Sequence, residues 1–167
     1  RWVPPCEMTH ASLAAILAEK PDNLATEVFA YGRLPLAFSA RCFTARHYDL
    51  PKDDCRFCCL DHPGGLELAT REREPFLVLN GIQTQSYRVL NLVDALPEMR
   101  ALGVDAVRLS PQPEHMDEAI AAFRAALDGA APTTIAALLA SARPAPVCNG
   151  YWHGRPGLDY VACGAAA

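Results

Sequence analysis

The sequence predicts an α/β fold of parallel βα units, interrupted by a long cysteine-bearing loop. Three observations carry that reading. Strand-length and helix-length apolar runs alternate in the second half of the chain. Regular periodicity disappears from Ser39 to Gly65, where four of the seven cysteines fall. Hydrophobic residues make up 51% and charged residues 20% of the 167, which fits a globular chain with a sizeable core, expected as a single domain over 1–167.

Each element follows from local chemistry. Trp2-Val3-Pro4-Pro5 reads as extended, because a proline restricts the residue before it. Thr9 is placed to cap a helix from His10 to Lys20, with Leu13, Ile16 and Leu17 on one face and Pro21-Asp22-Asn23 ending it. Glu27–Tyr31 is strand-like, Gly32 punctuates it, and Leu34–Phe38 continues as an apolar stretch expected to be buried. The irregular segment 39–65 contains Pro51, Pro63, His47 and His62; a loop of that length in a compact domain usually holds a ligand or metal.

Beyond it, Glu67–Thr70 and Phe76–Leu79 read as strands, the second closed by Asn80-Gly81. Tyr87–Leu90 suits a strand or a helix start. Leu92–Leu102 is expected to be helical with Gly103 as its cap, and Val104–Leu109 is a short buried strand. His115–Leu127 is the clearest amphipathic helix, with Met116, Ile120, Phe123 and Leu127 at helical spacing. Val147–Gly157 is a turn region rich in glycine and aromatics, and Gly164–Ala167 is expected to fray.

Composition excludes several classes of function. A formal net charge of −4 and a pI near 5.7 give no basic stripe for nucleic acid. The longest apolar candidate, Ala130–Ala142, is interrupted by Pro132, Thr133 and Thr134 and falls short of the roughly 18–20 residues of a membrane span. No secretory leader is visible, and a cytoplasmic location is the expectation. Neither a His-Glu-x-x-His site nor a Ser–His–Asp arrangement can be placed, so the residues give peptidase chemistry no support.

Seven cysteines, an odd number and clustered, do not read as a disulfide framework. Cys42, Cys55 and Cys59 are separated by twelve and then three residues. Thiolates are soft donors that suit iron–sulfur clusters and zinc. Structural zinc prefers two tight knuckles, and only one close pair is present; a cluster tolerates irregular spacing. Cluster ligation, zinc ligation and buried thiols all remain open on spacing alone. Cys58 is two residues beyond Cys55 and adjacent to Cys59, so one of the neighbouring pair is expected to be a packing residue. Cys6, Cys148 and Cys163 read as incidental.

The run from Glu27 to Cys42, Glu-Val-Phe-Ala-Tyr-Gly-Arg-Leu-Pro-Leu-Ala-Phe-Ser-Ala-Arg-Cys, resembles the core of the collagenase-like peptidase family U32. Most members carry His-Gly-Ala-Leu-Cys and then Ser-Gly-Arg-Cys. This chain has Tyr31 and Pro35 where His and Cys are usual, and keeps Ser39, Arg41 and Cys42. Those departures are similar to the ubiquinone-biosynthesis branch called UbiV, as are Lys52-Asp53-Asp54-Cys55 and the closing Asn149-Gly150-Tyr151-Trp152-His153-Gly154-Arg155-Pro156-Gly157. The likeness spans Trp2 to Asp159.

The resemblance implies a TIM-barrel-like fold of which this chain is the C-terminal half, with segment 39–65 as a cluster-binding loop. It also implies a 4Fe–4S cluster held by Cys42, Cys55 and Cys59, with a fourth cysteine upstream of this chain. The implied activity is O₂-independent hydroxylation in ubiquinone (coenzyme Q) biosynthesis, in a heterodimer with a UbiU-type paralogue and alongside a UbiT-type lipid-carrier protein. Two alternatives stand beside it: an RNA hydroxylase of the same family, or a zinc-bearing scaffold without catalysis.

Around the cysteines, Arg33 and Arg41 are candidates for binding an anionic substrate, Arg41 and Arg46 for offsetting cluster charge, and His47 and His62 for proton transfer or for hydrogen bonds to cluster sulfurs. Each has an ordinary alternative as a solvated or surface-paired side chain. Tyr151, Trp152 and His153 could line a pocket, or form a packed aromatic clasp.

Overall fold

A computed structural model describes residues 1–142 and 145–162. The elements in chain order are α1 (His10–Ala18), β1 (Glu27–Phe38), α2 (Phe43–His47), β2 (Leu66–Ala69), β3 (Pro75–Asn80), β4 (Gln83–Asn91), α3 (Leu96–Ala101), β5 (Ala106–Leu109), α4 (Met116–Leu127), α5 (Pro132–Ser141) and β6 (Val147–Cys148). Cys163 and the Gly164–Ala167 tail lie outside the described residues.

The strands form one mixed sheet in the order β2-β3-β4-β1-β5, with β6 paired to β4. β1 pairs with β5 in parallel, and β4 with β6 in parallel, as a βα reading requires. β2, β3 and β4, however, are joined antiparallel. The expectation of parallel units throughout is therefore corrected to a mixed α/β sheet. Asn80-Gly81 is the reason: Asn80 pairs with Gln83 across a two-residue loop, and Gly81 takes φ +59, as the first position of a primed hairpin turn demands. The sheet is an open path from β2 to β5, and no barrel closes among the described residues.

The chain divides into two compact units, Arg1–Gly32 with Val89–Ala167, and Arg33–Arg88.

The first unit holds most of the apolar core. Leu13 of α1, Val28, Ala30 and Tyr31 of β1, Val89 and Leu90 of β4, Leu96 and Met99 of α3, and Ala119, Ala122 and Phe123 of α4 are all buried. Full burial of one such Leu or Phe stabilises by about 1.5–3 kcal/mol. Helix α1 begins where its cap predicts: Thr9 Oγ1 accepts from Ser12 N at 3.1 Å. Leu92–Leu102 is a 3₁₀ turn, Val93–Ala95, leading into α3, because Pro97 suits only the first turn of an α-helix. The Ala130–Ala142 run contains α5, opened by Pro132.

Tyr31 meets the Phe123 ring edge-on at 5.8 Å and donates its hydroxyl to Ala142 O at 2.7 Å. At the start of β1, buried Glu27 accepts from Arg1 at 2.5 Å and from Arg108 at 2.6 Å. The hydrogen bond from Arg1, followed by that from Arg108, holds its carboxyl below the usual range.

The segment from Asn149 is the packed clasp. Asn149 N and Gly150 N both donate to Asp159 O, and the Asn149 amide exchanges two hydrogen bonds with the Val161 backbone. A 3₁₀ turn over Gly150–His153 buries Trp152, whose indole N–H donates to Glu98 at 3.0 Å.

In the second unit only Leu34, Ala45 and Val78 are buried apolar residues. The expectation that Leu34–Phe38 is buried fails after its first residue. Pro35 to Phe38 are exposed, Phe38 at 68%. Gly32 does not end the strand either, since β1 continues through it.

Candidate functional site

The cysteine segment lies wholly in the second unit and has more structure than its irregular sequence suggests. Its start is fixed to the β3–β4 hairpin, where Ser39 N donates to Ile82 O at 2.8 Å and Phe43 N to Gly81 O at 2.7 Å. Cys42 then caps α2, its sulfur accepting from Ala45 N at 3.5 Å. Thr44 and Ala45 bury the inner face of this short helix.

Helix α2 closes with two reciprocal hydrogen bonds, Leu50 N to Ala45 O and Asp49 N to Arg46 O, with Asp49 at φ 53. That is a Schellman closure with aspartate in the place glycine usually takes. A 3₁₀ turn over Lys52–Asp54 leads to Cys55, and a second, Cys58–Asp61, follows a left-handed pair, Arg56 and Phe57, both at φ 51.

Cys42, Cys55, Cys58 and Cys59 are free thiols, each half-buried. The Cys58 thiol is pushed up, first by burial and then by the Cys42, Cys55 and Cys59 thiols beside it. Of the adjacent Cys58 and Cys59, one of which was expected to pack, neither is fully buried. The two-residue spacing of Cys58 from Cys55 was the signal available for it. Among the described residues, no three His, Cys, Asp or Glu side chains are drawn into a metal-binding shell.

A cleft of about 410 Å³ opens beside two of these thiols, lined by Arg41, Cys42, Ala45, Arg46, Leu50, Pro51 and Cys55. Its walls combine apolar side chains with two guanidinium groups, a composition suited to an organic ligand bearing negative charge or polar oxygens. Leu50 and Pro51 had no sequence signal as lining residues; their place depends on the reversal at Asp49.

The other candidate residues lie elsewhere in the unit. Arg33 is buried, donates to the Ser86 and Tyr87 carbonyls, and stands over the Tyr87 ring at 5.5 Å; burial lowers its pKa. His62 Nε2 is hydrogen-bonded to the Tyr48 hydroxyl at 2.5 Å with the rings stacked at 5.7 Å, and His47 meets Tyr48 edge-on. This bond ties the last turn of the segment back to the end of α2, a structural use of a residue considered for proton transfer.

Of the remaining cysteines, Cys148 is fully buried on β6. Cys6 is raised to about 11, first by burial and then by Glu7.

In the first unit, Trp152 and His153 line an open hollow of about 250 Å³ with His10 and Glu98. No helix among the described residues is long and apolar enough to cross a membrane.

Comparison with known proteins gives one family. No solved structure matches the chain significantly. The model of peptidase family U32 matches residues 1–160, nearly the whole length, and the chain belongs to that family.

Proposed function

We propose that Cys42, Cys55 and Cys59 supply thiolates to an iron–sulfur cluster, and that the chain serves O₂-independent hydroxylation in ubiquinone biosynthesis. The observation that carries the proposal is the concentration of four free, half-buried thiols in one segment, two of which, Cys42 and Cys55, line an apolar cleft bearing Arg41 and Arg46. The donor set fits the group in kind: soft sulfur, irregular spacing, and cations nearby to offset an anionic centre.

The small core of the second unit supports the same reading. Three buried apolar side chains are few for a unit of this size, and small units of that kind are commonly stapled by metal. A fourth donor from outside this chain, a UbiU-type paralogue and a UbiT-type lipid carrier complete the proposal.

When bound, the cluster would supply one-electron transfer. The chain's own residues do the rest. Arg41 and Arg46 orient an anionic group at the cleft mouth, and Ala45, Leu50 and Pro51 exclude water from its apolar part. The Schellman closure and the Tyr48–His62 bond hold Cys42 and the turn that bears Cys59 in place.

The test is anaerobic purification with iron, sulfide and zinc analysis. Iron and sulfide in equal amounts, with visible absorption lost in Cys42→Ser, Cys55→Ser and Cys59→Ser, is the expected result. Zinc without sulfide would remove the cluster and leave the scaffold alternative. Loss of hydroxylated quinone on gene deletion is expected; loss of an RNA modification instead would assign the RNA-acting class.

A further inference from the structure

The turn between Cys55 and Cys58 has a chemistry of its own. Cys58 N donates to Cys55 O at 3.2 Å and closes a four-residue turn around Arg56 and Phe57. Both central residues have φ 51, the sign of a primed turn that glycine or asparagine ordinarily fills. A bulky aromatic held left-handed is a conformational outlier, and such outliers persist where surrounding structure fixes them.

A four-residue turn keeps its first and last Cα atoms within about 7 Å, and disulfides span Cα separations of about 4.4–6.8 Å. The turn therefore sets Cys55 and Cys58 in the range a disulfide needs. Cys59 lies one residue further on, inside the next 3₁₀ turn. Both thiols of the pair are half-buried, and Cys55 also lines the cleft, where a small molecule can reach it.

We propose that Cys55 and Cys58 form a reversible dithiol–disulfide pair that exchanges with low-molecular-weight disulfides. The Cys55 thiolate attacks one sulfur of the oxidant, breaking its S–S bond and releasing one thiolate. The Cys58 thiolate then attacks the Cys55 sulfur, displaces the second thiolate and closes the internal bond. Two electrons pass to the oxidant, which leaves as two thiols carrying the two protons given up by the pair. A reducing dithiol reverses both steps. If Cys55 is also a cluster ligand, as proposed above, the closed disulfide and the bound cluster exclude one another.

Metal-free full-length chain is treated anaerobically with oxidised glutathione, its remaining thiols are alkylated, and cross-links are mapped by mass spectrometry. Tryptic cleavage after Arg56 puts Cys55 and Cys58 on different peptides, so the bond appears as a linked pair. The expected product is one dominant Cys55–Cys58 link that a dithiol removes. Cys59→Ser keeps this link, while Cys58→Ser leaves glutathione on Cys55.

A dominant link from Cys55 to Cys59 or Cys42, or glutathione adducts with no internal bond in the unsubstituted chain, overturns the proposal. The readout uses metal-free protein, so its failure leaves the iron and sulfide analysis untouched. A colourless, iron-free chain would in turn leave the exchange intact.

Discussion

Phe57 and Asp49 both hold a left-handed backbone without being glycine. The cost of that conformation arises from the Cβ against the following carbonyl, about 1–2 kcal/mol for an ordinary residue and less for aspartate. Phe57 is 71% exposed, so removing its ring forfeits little burial. Phe57→Gly should therefore raise stability by about 1 kcal/mol, after allowing for the extra chain entropy of glycine, and Asp49→Gly by a few tenths. Chemical denaturation of the two variants measures this, and a drop in midpoint for both would show that the side chains hold these turns. Glu27 gives the opposite kind of prediction. Its carboxyl is held low by Arg1 and Arg108, so the charged pair stabilises the fold above the ordinary carboxylate value of 4.5 and that stability is lost as pH falls through the depressed folded value. Glu27→Gln should lower the denaturation midpoint at neutral pH, with the gap to the unsubstituted chain narrowing in acid; a gap constant from pH 7 to pH 3 would contradict the linkage.

At the level of elements, the closing clasp is the least forgiving. A Cβ on Gly150 would stand 1.9 Å from Pro156 O and 3.2 Å from the Asp159 Cβ, so the loop must open to admit it. Gly150→Ala should cost about 1–3 kcal/mol, in the manner of an overpacked core, and should quench the environment of Trp152 in the near-ultraviolet circular dichroism spectrum. An unchanged spectrum and midpoint would mean that the clasp is adaptable. The elements also show where sequence reasoning works. Helix α1 and helix α4 were legible because a cap residue and a run of 3.6-residue periodicity are local signals. Helix α2 was not, because it has five residues and is bounded by Cys42 and Asp49 in place of the usual serine and glycine. The antiparallel arrangement of β2, β3 and β4 was announced by Asn80-Gly81, but the alternation of strands and helices after it outweighed that signal. In the site, the clustering of free cysteines was legible from their positions in the chain alone, and Cys42 and Cys55 do line the cleft. The turn that joins Cys55 to Cys58 was not legible, since it depends on left-handed backbone at Arg56 and Phe57 that neither residue type advertises.

For the whole molecule, the unequal distribution of apolar burial has a dynamic consequence. Among the described residues, nineteen of the twenty-two buried apolar side chains belong to the first unit. Eight of the twelve large apolar side chains that remain exposed belong to the second: Leu36, Phe38, Tyr48, Phe57, Leu60, Leu68, Phe76 and Ile82. Regions with few buried contacts open at low free energy, and their amides exchange early. Hydrogen exchange on the metal-free chain should therefore show rapid labelling across Ser39–Gly65 and slow labelling in Val28–Tyr31 and in α4. If thiolate ligation staples the second unit, binding free energy becomes folding free energy for that unit, and its stability rises with occupancy as RT ln(1 + [L]/Kd). Loading at about a hundred times Kd would add about 2.7 kcal/mol and slow exchange there by up to about a hundredfold, with little change in α4. Uniform slowing across the chain would mean that the two units open as one. No slowing in a chain shown to carry iron and sulfide would separate ligation from the stability of the segment that supplies it.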